Sequence, residues 1–314
     1  MNVALLCPGQ GAQKVGMGKD LAEAFSAARD TFAAIDAALG IQLSRVMWEG
    51  PDELLTRTDH AQPAILAHSA AVWAVVAKKL AGRVAAAAGH SLGEYSAYVA
   101  AGLLTPEDAA LLVRRRGELM NDAGQARPGS MAAVLGLATE RVTEVCASAS
   151  RAQSVVVAAN LNAPDQTVIS GDPDAVTRAG ESLKAAGAKR VIPLKVSGAF
   201  HSPLMAPARE GLTAALTAAP AREPAFPVVA NATAQPVRDA ATARVQLAAQ
   251  LTSPVRWVEC TRRLHEIASA GGAPTFVEIG PGNVLTGLAK RIVPGVACVT
   301  LGTAPEVRAF LEAA

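Results

Sequence analysis

A serine between two glycines is the residue of this sequence best suited to covalent chemistry. It stands in the pentapeptide Gly89-His90-Ser91-Leu92-Gly93, which has the Gly-x-Ser-x-Gly pattern of a nucleophile elbow. In such an elbow the serine occupies a strained strand-to-helix turn, and the glycines stand where Cβ atoms would clash. The N-terminus of the following helix directs amide groups to the place where an oxyanion forms. The pattern therefore predicts acyl transfer through an ester on Ser91.

A serine needs a base to act as a nucleophile at neutral pH, and the sequence contains five histidines. We favour His201, because it follows a predicted strand in a loop of small residues, a usual position for a catalytic group. The alternative for His201 is an ordinary surface histidine. His90 is expected to point away from the serine, His60 to lie in a polar loop, His68 to pack within a helix, and His265 to lie on a charged helix.

The glycine-rich loop near the N-terminus, Gly9-Gln10-Gly11, could be mistaken for part of a dinucleotide site. That fingerprint needs a third glycine at position 14, where this sequence has Lys14. An oxyanion hole is the better interpretation. In serine acyl-transfer sites one donor is the amide that follows the nucleophile, here Leu92, and the second comes from an early strand-to-helix loop, here near Gln10.

One arginine of the run Arg114-Arg115-Arg116 is predicted to face the protein interior. Arg116 lies four residues after Leu112 and three before Leu119, so helical spacing places it in the apolar stripe of its helix. A guanidinium directed at a core requires an anionic partner. Geometry alone leaves two candidates open, a carboxylate of the protein or a carboxylate of the substrate.

Composition bounds the remaining possibilities. The 314 residues, 51% of them hydrophobic, suffice for one large domain or for one domain with a smaller insert. A net charge of +2 gives no reason to expect nucleic acid. The cysteines are too scattered for a metal or redox pair, the N-terminus lacks a basic leader, and no apolar run reaches the ~18 residues of a membrane helix. We expect a cytoplasmic protein without a metal.

Alternating strand and helix patterns predict an α/β protein. Helices are expected from Pro63 to Leu80 and from residue 106 to about residue 122, with a loop over 122–129 and a strand over 226–231. Between residues 130 and 195 the order β-α-β-β-α-β is that of a ferredoxin-like unit. We therefore predict a discontinuous large α/β domain, residues 1–127 and 196–314, with a small ferredoxin-like subdomain inserted at 128–195.

These motifs together resemble the malonyl-CoA:acyl-carrier-protein transacylase family, which includes the acyltransferase domains of polyketide synthases. The resemblance spans nearly the whole chain. It is carried, in order, by Pro8-Gly9-Gln10-Gly11-Ala12-Gln13, Ala61-Gln62-Pro63-Ala64, Gly89-His90-Ser91-Leu92-Gly93-Glu94-Tyr95, Arg116-Gly117, Asn160, Asn162-x-Pro164, Gln166-x-Val168-Ile169-Ser170-Gly171, Phe200-His201-Ser202 and Glu278-Ile279-Gly280-Pro281-Gly282.

The resemblance implies an α/β-hydrolase-like core with a parallel sheet, and a ping-pong reaction through a malonyl ester of Ser91. Malonyl-CoA is the implied donor, the phosphopantetheine thiol of an acyl carrier protein is the acceptor, and a monomer without a bound cofactor is expected. His201 matches the base and Arg116 the arginine that pairs with the malonyl carboxylate. Gln250 matches the residue whose backbone carbonyl holds the histidine.

Three further positions match the family. Gln10 and Leu92 correspond to the oxyanion donors, and Phe200 resembles the residue before the histidine in malonyl-type members. Gly198 departs from the malonyl-type polyketide pattern, which often has histidine there, so the specificity argument is partial. Several basic residues could meet CoA phosphates or an acidic carrier protein, or could be ordinary surface: Lys189, Arg190, Lys195, Lys290 and Arg291.

Fatty acid synthesis is the pathway that we expect. The alternatives with the same chemistry are a stand-alone transferase of a polyketide line and the malonyltransferase subunit of a malonate decarboxylase. A more distant alternative is a serine esterase, which requires an Asp or Glu partner for the histidine. An esterase would give no reason for an arginine in the apolar stripe of a helix.

Overall fold

The computed structural model describes residues 2–313, which form one large sheet and one small sheet. The large sheet has the strand order β10-β9-β1-β2-β7-β8 and the small sheet the order β4-β5-β3-β6. In chain order the strands are β1 (Asn2–Cys7), β2 (Val84–Gly89), β3 (Ser130–Leu135), β4 (Val156–Ala163), β5 (Gln166–Gly171), β6 (Arg190–Pro193), β7 (Val228–Val229), β8 (Pro236–Val237), β9 (Pro274–Ile279) and β10 (Ala297–Leu301). The mixed α/β class with a mainly parallel sheet confirms the prediction.

Helices pack on both faces of the large sheet. In chain order the α-helices are α1 (Lys19–Ala24), α2 (Ser26–Leu39), α3 (Leu43–Glu49), α4 (Asp52–Thr56), α5 (Thr58–Leu80), α6 (Gly93–Ala100), α7 (Pro106–Ala126), α8 (Thr139–Ala149), α9 (Pro173–Ala185), α10 (Ala206–Ala218), α11 (Ala240–Gln250), α12 (Trp257–Ser269), α13 (Val284–Ile292) and α14 (Ala304–Glu312). Within residues 2–313, none of these helices is long and apolar enough to cross a membrane.

Strand β1 lies between β2 and β9 and pairs with both in parallel. Its side chains alternate between two cores, as the two-residue period of a strand requires. Leu5 faces the core formed with α5, α6 and α7, whereas Leu6 faces the core formed with α12 and α13. Both faces are covered, and the strand is accordingly apolar and buried from Val3 to Cys7. This burial fixes β1 and β2, which end at the loops that carry the predicted site residues.

The small sheet is antiparallel and belongs to the segment that runs from β3 to β6. Its elements follow the predicted order β-α-β-β-α-β, and helices α8 and α9 bury its apolar side chains in a separate core. This arrangement is that of a ferredoxin-like unit. The division into residues 1–127 with 196–314 and residues 128–195 stays a prediction of the sequence.

Three predicted elements differ from the structure. Helix α5 begins at Thr58, not at Pro63, so His60 lies in this helix and is buried, not in a polar loop. Helix α7 continues to Ala126 through the segment predicted as a loop, because the face around Gly124 is buried against the backbone of residue 197. The strand predicted over 226–231 shrinks to two residues, β7.

Helices α5 and α7 approach closely at Gly117. A Cβ atom on this glycine would lie 2.7 Å from the Cα atom of Asp59 and 2.8 Å from the carbonyl oxygen of Thr58. Both neighbours are backbone atoms, so they cannot move aside as a flexible side chain could. Glycine at this position therefore sets the distance between α7, which carries Arg116, and the first turn of α5.

We expect Gly117→Ala to lower the free energy of unfolding by about 1–3 kcal/mol, the usual cost of overpacking. Gly287→Ala is the matched control, because this exposed helical glycine has nothing within 4 Å of the added Cβ. The control should raise stability by about 0.5–1 kcal/mol through helix propensity. Chemical denaturation measures both changes; a Gly117→Ala variant as stable as the parent would contradict the close approach.

Candidate active site

Ser91 lies on a sharp turn between β2 and α6 and has a positive φ of 51°. A residue with a Cβ atom pays about 1–2 kcal/mol for this conformation, so the turn must be held by its surroundings. The flanking glycines permit it: a Cβ atom on Gly89 would lie 1.9 Å from the carbonyl group of Gly93, and one on Gly93 would lie 2.0 Å from the carbonyl oxygen of Cys7. The predicted nucleophile elbow is therefore present.

Asn231 and Gln250 hold the Ser91 peptide groups from the other side. The Ser91 amide donates to Oδ1 of Asn231 at 2.8 Å, and Nδ2 of Asn231 donates to the Gly89 carbonyl at 2.8 Å. The Ser91 carbonyl accepts from Nε2 of Gln250 at 2.9 Å. Two side-chain amides that are distant in sequence thus stabilise the strained turn.

Ser91 and His201 form a hydrogen-bonded pair. Oγ of Ser91 lies 2.7 Å from Nε2 of His201, and Nδ1 of His201 lies 3.0 Å from the backbone carbonyl oxygen of Gln250. A carbonyl oxygen can only accept, so Nδ1 carries the proton and Nε2 is free to accept the serine proton. The partner of the histidine is therefore a backbone carbonyl and not a carboxylate.

His201 is buried, with 4% of its surface exposed. Burial and, to a smaller extent, the positive charge of Arg116 lower the pKa of His201 to about 3. Both effects penalise the imidazolium form. The imidazole consequently stays in its basic form at neutral pH, as a proton acceptor for Ser91 must.

Arg116 is buried at the base of the site, with 1% of its surface exposed. Nη2 donates to Oγ of Ser91 at 3.2 Å and to Oε1 of Gln250 at 3.0 Å, and Nη1 donates to Oε1 of Gln62 at 2.6 Å. None of these partners in the described chain is a carboxylate. The guanidinium also lies over the ring of Tyr95, 5.7 Å from its centroid. A buried positive charge thus lies beside the nucleophile with only neutral hydrogen-bond acceptors around it.

A cavity of about 340 Å³ opens above Ser91 and His201. The lining residues are Gln10, Gly11, Gln13, Thr56, His90, Ser91, Met120, Met131, Asn160, Asn162, Val168, Leu194, Lys195, Val196, Phe200 and His201. The lining comes partly from loops of the large sheet and partly from β3, β4 and β5 of the small sheet. The cavity therefore lies between the two sheets.

The predicted oxyanion donors flank the nucleophile. Leu92 is buried and directly precedes the first residue of α6, so its amide lies at the positive end of that helix. Gln10 lines the cavity, and its side chain donates to Oγ1 of Thr58 at 3.2 Å. Both positions are compatible with amides that face an oxygen bound at Ser91.

The structure brings Ser91, His201, Arg116 and Gln250 into direct contact, and places Gln10 and Phe200 on the cavity wall. Sequence reasoning missed the roles of several residues. Gln62 and Glu94 stand within quoted motifs, and Asn231 follows β7 at the carboxyl end of a parallel strand, where functional residues of α/β sheets collect. The residues without a predicted role are Gln62, Glu94, Asn162 and Asn231.

His90 borders the cavity but does not contact the nucleophile's hydroxyl. Its Nε2 lies 2.7 Å from Oδ1 of Asn162, on β4 of the small sheet. The expectation that His90 is not the base agrees with this geometry. The pair links the elbow to the small sheet across the cavity.

Comparison with known proteins assigns the family. Residues 4–313 match the family described as "Acyl transferase domain". This chain belongs to the acyl transferase family. The match includes residues of both sheets and every residue of the site described above.

Individual relatives are similar over at least nine tenths of their length. The malonyl CoA-acyl carrier protein transacylase of Bacillus subtilis is 46% identical over 290 residues, which cover 92% of this chain and 90% of the relative. An acyl carrier protein S-malonyltransferase of Vibrio cholerae superposes with a TM-score of 0.93 at 41% identity, covering 99% of this chain and all of the other. A malonyl-transacylase solved in complex with a type II polyketide synthase acyl-carrier protein also superposes with a TM-score of 0.93 at 41% identity, covering 99% of each chain.

We expect the His201 ring to remain a neutral imidazole, protonated on Nδ1 alone, between pH 8 and pH 5. The low pKa keeps the basic form populated, whereas a histidine of ordinary pKa 6.5 would be roughly 97% protonated at pH 5. Titration of ¹⁵N-histidine-labelled protein by NMR measures this, with His201→Gln used to assign the resonance. A midpoint near pH 6.5 for His201 would contradict the buried environment.

Proposed function

We propose that this protein transfers a malonyl group from malonyl-CoA to the phosphopantetheine thiol of an acyl carrier protein, through an ester on Ser91. The observation that carries the proposal is Arg116, a buried guanidinium 3.2 Å from Oγ of Ser91 with no carboxylate among its hydrogen-bond partners in residues 2–313. A substrate with its own carboxylate supplies the missing negative charge. The names of the relatives agree with this substrate.

In the first half-reaction Ser91 attacks the thioester carbonyl of malonyl-CoA while its proton passes to Nε2 of His201. The amides of Leu92 and Gln10 stabilise the oxyanion of the tetrahedral intermediate. The intermediate breaks its carbon–sulfur bond, and the CoA thiolate leaves with the proton from His201. The malonyl ester of Ser91 remains.

In the second half-reaction the carrier-protein thiol gives its proton to His201, and the resulting thiolate attacks the ester. The carbon–oxygen bond breaks, and Ser91 regains its proton from the histidine. Gln250 supports both halves, because its carbonyl keeps the proton of His201 on Nδ1. Arg116 holds the malonyl carboxylate throughout, which orients the reacting carbonyl towards Oγ.

The same geometry weighs against a serine esterase with a complete triad. Such an enzyme needs a carboxylate on Nδ1 of His201, where this structure has the carbonyl of Gln250.

Phe200 lies on the cavity wall and is 6% exposed. We propose that its ring restricts the space beside the malonyl methylene and so favours the unsubstituted group.

The proposed setting is fatty acid synthesis in the cytoplasm, with the chain acting as a monomer on a separate carrier protein. The relative solved with a type II polyketide synthase carrier supports a second candidate pathway, polyketide synthesis. Lys195 at the cavity and Arg291 on α13 are proposed to meet phosphate or carrier carboxylates, although Arg291 already contacts Asp165 and Gln166. Transfer assays with a fatty-acid carrier and a polyketide carrier distinguish the pathways.

Ser91→Ala should abolish the acyl-enzyme, because no other hydroxyl lies at the elbow. Intact-mass measurement after incubation with malonyl-CoA should show one malonyl adduct on the parent protein and none on the variant. Ser96→Ala is the matched control, since this serine is buried on α6, the helix that follows the Ser91 turn. A malonyl adduct on the Ser91→Ala protein would remove Ser91 from its proposed role.

Arg116→Ala should lower kcat/KM for malonyl-CoA by about 10–100-fold, the value of a charge-assisted hydrogen-bond pair, while acetyl-CoA is affected less. The preference for malonyl over acetyl groups should therefore fall. Arg115→Ala is the control, because Arg115 lies on the same helix with half of its side chain exposed and contacts Glu118. An unchanged malonyl preference in Arg116→Ala would show that the arginine has a structural role and does not bind the malonyl carboxylate.

A further inference from the structure

Gln250 is the point where the nucleophile, the base and the buried arginine meet. Its Oε1 accepts from Arg116, its Nε2 donates to the Ser91 carbonyl, and its backbone carbonyl faces Nδ1 of His201. The side chain can do this in only one orientation. A flip of the amide would set an NH₂ group against the guanidinium and an oxygen against the Ser91 carbonyl.

Two further contacts favour the same orientation. Nε2 of Gln250 donates to Oδ1 of Asn231 at 3.3 Å, and a shorter hydrogen bond joins it to Glu94. Nε2 of Gln250 donates to Oε2 of Glu94 at 2.8 Å, and the backbone amide of Asn231 donates to the same oxygen at 3.0 Å. An acceptor at this place favours the amide nitrogen and penalises the amide oxygen. Glu94 thus opposes the flip that would disorganise the site.

Glu94 is an unusual residue to find here, because its side chain is completely buried and its hydrogen-bond donors among residues 2–313 are neutral amides. Its other oxygen, Oε1, is buried without a hydrogen-bond partner among the described residues. Burying a carboxyl group is costly. Burial raises the pKa of Glu94 to about 7, against the opposing effects of the hydrogen bonds from Asn231 and Gln250 and of the charge on Arg116. Protonation on Oε1 leaves Oε2 able to accept both hydrogen bonds, so the acceptor persists in either state.

We propose that Glu94 is a positioning residue that acts through Gln250: its Oε2 fixes the side-chain amide so that Oε1 faces Arg116 and Nε2 faces Ser91. The inference rests on the proposed function, since it concerns the same nucleophile and the same carboxylate-binding arginine. In this role Glu94 contacts neither the substrate nor the reacting atoms. Glu94 instead sets the geometry of the two groups that do make such contacts.

The conservative substitution separates the acceptor from the charge. In Glu94→Gln an amide oxygen can take the place of Oε2 and keep both hydrogen bonds, while the new NH₂ group takes the place of the unpartnered Oε1. In Glu94→Ala this acceptor is lost, so the flipped orientation of Gln250 is opposed only by its remaining contacts, which include Arg116 and the Ser91 carbonyl. Rates of acyl-enzyme formation with malonyl-CoA and with acetyl-CoA, followed by intact mass, report on Arg116 and Ser91 together.

We expect Glu94→Ala to slow malonylation roughly tenfold or more, the usual effect of losing a buried hydrogen-bond partner, and to lower the malonyl-to-acetyl ratio. Glu94→Gln should restore both values to within about threefold. If Glu94→Ala does not fold, Glu94→Asp carries the test, because its shorter side chain withdraws the acceptor and should lower the ratio in the same direction. Thermal unfolding of each variant identifies the folded ones.

A double-mutant cycle tests whether Glu94 acts through Gln250. Gln250→Leu removes the amide but keeps the backbone carbonyl that faces His201. On this background Glu94→Ala should add less than about a threefold loss, since the group through which it acts is gone. An equal loss on both backgrounds would overturn the proposal, as would an unchanged malonyl-to-acetyl ratio in a folded Glu94→Ala protein or a failure of Glu94→Gln to restore it.

Glu278→Ala is the matched control. Its carboxylate is equally buried. It accepts hydrogen bonds from the backbone amides of Leu285 and Thr286 at the start of α13 and not from Gln250. The control should leave the malonyl-to-acetyl ratio unchanged even if stability falls. The parent protein is measured first: absence of a malonyl adduct there would refute the proposed function, whereas an adduct combined with unaltered Glu94 variants would refute the positioning role alone.

Discussion

The hydrogen bonds of Gln250 hold the parts of this site in one geometry. The backbone carbonyl decides which nitrogen of His201 carries a proton, and the side-chain amide connects Ser91 to Arg116. Because an amide has one donor end and one acceptor end, each partner is satisfied only when all of them are in place. Glu94 completes this set from beneath the elbow. The proposed nucleophile, base and carboxylate-binding group are therefore aligned before a substrate arrives.

Two costs are concentrated at the same place. Ser91 adopts a left-handed conformation that residues other than glycine rarely adopt, and Arg116 is a buried charge that hydrogen-bonds to no carboxylate within residues 2–313. The first cost exposes Oγ at the top of a rigid sheet, where it can attack. The second makes the site most favourable for a ligand that brings a negative charge with it. Strain and unpaired charge together account for both the reactivity and the proposed preference for malonyl groups.

Local patterns predicted the elements well where sequence period and burial agree. The β-α-β-β-α-β order between β3 and β6 follows from alternating and helical periods alone. The start of α5 could not be predicted, because proline normally lies in a first helical turn, and here burial of the preceding turn overrides that preference. The end of α7 depends on a close contact between Gly124 and Ser197, which are far apart in sequence.

The sequence by itself determined which groups are proposed to react. The elbow at Ser91 is a local motif whose glycines and following helix serve the turn directly, and the resemblance to a family named His201, Arg116 and Gln250. Only the tertiary structure decided whether Arg116 meets a protein carboxylate, and only it revealed Glu94 beneath Gln250. The physical reason is that hydrogen bonds between side chains distant in sequence depend on how sheets and helices pack, which no local period encodes.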